Sequence, residues 1–137
     1  MRNRTAWLIA ALLVLPAWGC SSGDPFSYVP VSGTISYEDG SKLPAAVRLA
    51  FISQLEPVDG KFHARPASAF TNEQGDFDSA TSRRQGDGIV RGKHKILVIL
   101  EAPNSERIVP PEYMNPRTTP LEVDAQDTPF DLRIRKP

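Results

Sequence analysis

Proton transfer near neutral pH belongs first to histidine, and metal binding or nucleophilic attack to histidine and cysteine together. The chain offers two histidines, His63 and His94, and one cysteine, Cys20. Their spacing matches no zinc pattern, because structural and catalytic zinc sites need clustered Cys and His ligands. A serine nucleophile has no Gly-x-Ser-x-Gly elbow to sit on. His94 shares parity with Ile96, Val98 and Leu100 in KHKILVIL, which predicts a packing position at the edge of the core. His63 falls in the polar connector from Gln54 to Arg65, a solvated loop. The reading is therefore non-enzymatic, with no catalytic residue, no metal and no cofactor expected.

Two other stretches carry groups that bind ions elsewhere. Asn72-Glu73-Gln74-Gly75-Asp76-Phe77-Asp78 offers oxygen donors around a glycine, but its spacing departs from the EF-hand loop. It is expected to be a hairpin turn with solvated acids. Arg83-Arg84-Gln85-Gly86-Asp87-Gly88 sets cations beside glycines, so backbone amides there could receive an anion. The plainer expectation is a turn into the Gly92 to Leu100 strand with the arginines exposed.

Cys20 is explained by what precedes it. Arg2 and Arg4 lead into the apolar run Ala6 to Leu15, followed by small residues ending in Gly19. A run of that length suits the roughly 7 to 15 residues of a signal-peptide core and falls below the roughly 18 of a spanning helix. A cysteine directly behind such a core resembles the lipobox of bacterial lipoproteins. That resemblance implies a thiol carrying diacylglycerol, cleavage between Gly19 and Cys20, and a lipid anchor. Lipoboxes usually carry a leucine three residues before the cysteine and a small residue two before, where this chain has Ala17 and Trp18; Gly19 matches. Ala17-Trp18-Gly19 also passes as an ordinary small-x-small cleavage site, after which Cys20 stays a free thiol.

The expected organisation is a signal peptide over 1–19, the cysteine and a tether over 20–27, and one domain over 28–137. The whole chain has 16 basic and 16 acidic residues, and losing Arg2 and Arg4 with the leader leaves a formal balance of minus two. Charges alternate in sign along the chain, without the basic stripe a nucleic-acid binder uses on phosphates. Ser21 to Ser27 lacks periodicity and reads as a coil-like tether with a reach of roughly 15 Å. All 13 prolines but Pro16 lie beyond the leader, about twice the usual roughly 5%. They act as scattered punctuation.

Period-two alternation carries the fold prediction. Val29, Val31, Ile35 and Tyr37 face one way; Val47, Leu49 and Phe51 resume the pattern after the Asp39-Gly40 turn. Ala67 to Thr71 and Asp76 to Ser79 read as a hairpin around Gly75. Lys93 to Leu100, Leu121/Val123 and Phe130/Leu132/Ile134 supply three more strands. Seven short strands and no helical periodicity predict an all-β, seven-stranded antiparallel sandwich. Ile108 to Pro120 (IVPPEYMNPRTTP) is expected to run as an extended connector with Tyr113 turned inward, because proline cannot donate to a ladder.

The segments VSGTISYEDGSKLPAAVRLAF, TNEQGDFD, GIVRGKHKILVI, PPEYMNPRTTPLEV and TPFDLRI, in that order, resemble the carboxypeptidase regulatory-like, transthyretin-like domain of small bacterial lipoproteins. The resemblance implies a prealbumin-like sandwich in the cell envelope, on the periplasmic or surface side. Its function would be structural or protein-binding, with an envelope protein or glycan as a possible partner and the membrane reached through the lipid. A glycan- or peptide-binding module is the alternative, and a transthyretin-like hydrolase a more distant one. The hydrolase ending Tyr-Arg-Gly-Ser is replaced here by Ile134-Arg135-Lys136-Pro137, and the two-tyrosine, two-histidine iron set of related dioxygenases is missing.

Overall fold

The structure, a computed structural model, describes residues 23–101, 103 and 107–137. Where apolar residues alternate, strands form: β1 (Tyr28–Val29), β2 (Gly33–Tyr37), β3 (Arg48–Ser53), β4 (Ala67–Phe70), β5 (Asp76–Phe77), β6 (Ile89–Val90), β7 (Lys93–Ile99), β8 (Glu122–Asp124) and β9 (Phe130–Ile134). Short 3-10 turns occupy Pro111–Met114 and Ala125–Asp127. The all-β expectation is borne out among the described residues. No helix there is long and apolar enough to cross a membrane.

Two larger sheets hold the expected strands, apart from the start of the first. One runs β5-β2-β9 and the other β4-β3-β7-β8, while β1 and β6 form a small separate pair. The first expected strand is broken between Val29 and Gly33. Pro30 has no N–H to give a ladder, the Ser32 amide donates to Thr128 Oγ1 at 3.0 Å, and the Ser32 carbonyl accepts the Phe130 amide at 2.9 Å. That second bond starts β9 alongside β2 in parallel, from Gly33 opposite Phe130 to Tyr37 opposite Ile134. The expected purely antiparallel arrangement is thus corrected at this one pair. Gly33 makes it possible: a Cβ there would lie 2.5 Å from the Phe130 carbonyl oxygen.

The hairpin expected around Gly75 is also corrected. The tight turn forms, with the Gly75 amide on Asn72 O (3.0 Å) and the Asn72 amide on Asp76 O (2.9 Å). Its arms, however, join different sheets: β4 pairs with β3, and β5 with β2. Each arm is captured by a bond outside the turn, Thr71 N–H to Val47 O (3.0 Å) and Ile35 N–H to Gly75 O (2.9 Å). The turn carries the chain across the core. The Asp39-Gly40 turn does the same between β2 and β3, closed by the Tyr37 amide on Ser41 O.

Between the larger sheets lies one apolar cluster that includes Ile35, Leu49, Phe51, Phe77, Ile96, Val98, Phe130 and Ile134. Phe51 of β3 is central, its ring 6.1 Å from Phe77 and 6.2 Å from Phe130 across the core. Complete burial of such a side chain contributes roughly 1.5–3 kcal/mol. Tyr113 points inward as expected and is only 2% exposed. Its hydroxyl accepts the Arg135 amide at 3.0 Å, tying the segment to the end of β9. The segment itself is not extended at this point. Pro111 occupies the first position of a helical turn, where its fixed φ fits and its missing N–H costs nothing, and the Tyr113 amide closes the turn on Pro110 O at 3.1 Å.

Candidate functional site

Cys20 and Gly19, the expected lipid-attachment and cleavage residues, lie outside the described residues. What can be followed is the tether behind them. Asp24 is followed by proline, a pairing that starts turns, and its carboxylate accepts the Phe26 amide at 3.2 Å. The same carboxylate accepts the Tyr28 hydroxyl and pairs with Arg83 at 2.9 Å. The Tyr28 hydroxyl, then Arg83, hold the Asp24 carboxyl below its ordinary range. Burial, then the bond to Asp24, push the Tyr28 phenol up. The Ser27 carbonyl accepts the Arg91 amide at 3.0 Å. The tether is therefore strapped to the domain at least from Asp24 onward.

Arg83 belongs to the cation-and-glycine loop, whose amides do converge on an anion: the chain's own. The Asp87 carboxylate accepts the amides of Ser82 (2.8 Å), Arg83 (3.0 Å) and Arg84 (2.9 Å). Burial pushes the Asp87 carboxyl up, and the amides of Ser82, Arg84 and Arg83 more than offset it, so it is held below its ordinary range. A phosphate arriving here would find the donors occupied. Gly88 finishes the loop at φ +98°, where a Cβ would lie 1.9 Å from the Val29 carbonyl oxygen. Glycine is the one residue that leaves β1 room there.

Asp24, Phe26, Tyr28, Arg83, Arg84 and Asp87 line an open groove of about 560 Å³. A neighbouring groove of about 590 Å³ adds Gly23, Lys61, Phe62, His63 and Arg65 to the tether residues. His63 is thus a surface residue, as the sequence implied.

His94 lies on the core face of β7 with Ile96 and Val98, deeper than the expected edge position. Its Nδ1–H donates to the Gly92 carbonyl at 3.1 Å, and its ring meets Phe51 edge-on at 6.5 Å. Burial lowers its pKa from the ordinary value of 6.5, against smaller opposing effects of the Gly92 bond and Asp124. Ser53 stands opposite in the ladder, yet the ring bonds to a carbonyl and not to a serine or an aspartate. Among the described residues, no group of three or more His, Cys, Asp or Glu is placed to hold a metal ion. In the Asn72 to Asp78 turn, Asn72 Oδ1 is engaged by the amides of Gln74 and Asp76, both at 2.9 Å.

The sequence reading missed Asp24, Tyr28 and Asp87 as a working set. The Asp-Pro pair signalled the local turn at Asp24, but its partner Arg83 lies far along the chain. Compared with family models, curated proteins and solved structures, the chain gives no match.

Proposed function

We propose that the chain is a lipid-anchored protein of the bacterial cell envelope whose mature part is a non-catalytic, transthyretin-like β-sandwich with a structural or protein-binding role. The observation that carries this reading is the strapped tether. The acid-base groups clustered behind the leader and its single cysteine are engaged in holding the tether to the domain: Asp24 binds Tyr28 and Arg83, and Asp87 binds three amides. Such a clasp suits a domain carried on a short lead. The seven strands of the two larger sheets, packed through Phe51, support the sandwich part.

Replacing Cys20 with alanine and fractionating cells tests the anchor. The unaltered chain is expected in the membrane fraction and C20A in the soluble one; an unaltered chain that is already soluble contradicts the reading. The glycan- or peptide-binding alternative has one observation in its favour. Phe70 is 72% exposed and lines a groove with Arg48, Asp78, Gln85 and Glu101, and an exposed ring flanked by polar groups suits stacking on a sugar. Retention on a glycan column that is lost in F70A would establish it over the structural role.

A further inference from the structure

We infer that the face around the tether, formed by Lys61, Phe62, His63 and Arg65 with Gly23 and Arg83, docks on anionic phospholipid headgroups and fixes the domain's orientation on its membrane. This rests on the lipid-anchor reading, because the anchor supplies the nearby surface. Gly23 lines the same groove as these residues, and Cys20 precedes it by three residues, a span of at most roughly 11 Å. An anchor at Cys20 therefore brings the bilayer to this face before any other.

The chemistry of the face suits that neighbour. Phe62 is 52% exposed and is presented on a small closed turn, with Val58 and Phe62 exchanging both backbone bonds at 3.0 Å. Lys61 and His63 flank it. Aromatic rings beside cations are the pattern that partitions into the headgroup region of bilayers. Among the described residues neither Lys61 nor Arg65 is in an ion pair, while the acid in the groove, Asp24, is neutralised by Arg83. Glu56 and Asp59 share the connector but do not line the groove. The amides of the neighbouring loop are filled by Asp87, so the face offers spread side-chain cations to a charged surface and no closed cradle for a free phosphate. Juxtamembrane cations of this kind gain from anionic lipid within a Debye length.

Both tryptophans, Trp7 and Trp18, precede Cys20, so the processed chain carrying F62W has a single tryptophan as reporter. That variant, extracted from membranes, is reconstituted into phosphatidylcholine vesicles with and without phosphatidylglycerol. On the anionic vesicles the emission is expected to shift to the blue and to be quenched by brominated acyl chains. High salt, or the added changes K61Q and R65Q, should remove at least half of the shift. Equal emission on both vesicle types, with the chain floating with each, overturns docking and leaves the anchor intact. A chain that floats with neither overturns both.

Discussion

The core face of β7 and the groove beside the tether hold the chain's two histidines in opposite surroundings. His94 lies among Phe51, Ile96 and Val98, with its one polar contact satisfied by a carbonyl in its own turn. His63 stands in water between Phe62 and Arg65. In the first region the sheets decide everything, and a polar ring is tolerated because its proton has a place to go. In the second, ion pairs and hydrogen bonds hold a strap on the surface, where solvent keeps each contribution small. A residue type known for chemistry is thus silenced by burial in one place and left free for contact in the other.

The contrast implies that changes on the core side cost far more than changes on the tether side. The largest loss is expected for Tyr113→Ala, which empties a buried ring site at roughly 3–5 kcal/mol, read as a fall in urea midpoint. Tyr113→Phe removes only the bond to the Arg135 amide, about 1 kcal/mol. If Y113A unfolds at the unaltered midpoint, Tyr113 does not pin its segment to the core.

Gly88→Ala comes next. The side chain would meet the Val29 carbonyl at a positive φ, a strain of roughly 1–3 kcal/mol, and the β1–β6 pair should loosen first. Hydrogen exchange would show faster loss at Val29 and Val90 than in β3, and uniform exchange would contradict the placement of the strain.

For His94 the effect appears through pH. Burial depresses its pKa in the fold, so the unfolded chain binds the proton more readily. The stability His94 supplies is complete above the unfolded value of about 6.5 and is lost as pH falls through the lower folded value. Urea midpoints at about pH 7 and about pH 5.5, either side of that ordinary value, should therefore differ for the unaltered chain. They should converge in H94L, whose Gly92 carbonyl keeps the Ala125 amide at 3.0 Å. An equal pH dependence in both chains would mean that His94 is not the group responsible.

The smallest effect belongs to Asp24→Ala. It removes a part-exposed ion pair with Arg83 and the acceptor of the Phe26 amide, so the urea midpoint should barely move. The Phe26 amide should exchange faster while the Arg91 amide, held by Ser27 O, stays protected. Loss of protection at both would show that Asp24 holds the whole strap and not only its first turn.

Faces were legible in the sequence and partners were not. Alternation placed Val31, Ile35, Tyr37, Phe51, His94 and Phe130 on the core side because side-chain direction is a local property of a strand. It could not say that β9 would lie parallel to β2, or that the arms of the Gly75 turn would part, since those outcomes depend on bonds such as Phe130 to Ser32 and Thr71 to Val47 across the fold. The two-residue β6 is too short to show a period. At Pro111 the rule that proline leaves a ladder was right, yet the same fixed φ also starts a helical turn. The clasp was hidden for the same reason as the sheet partners: Asp24 and Arg83 meet only once the fold brings them together.

Whether a lipid at Cys20 carries the chain, as proposed, is read from the intact mass of the protein extracted from its own membrane. The expected mass is that of a chain beginning at Cys20 plus a diacylglycerol group, whose two ester-linked acyl chains mild base removes. A chain that begins at another residue, or a Cys20 that carries no added mass, would contradict it.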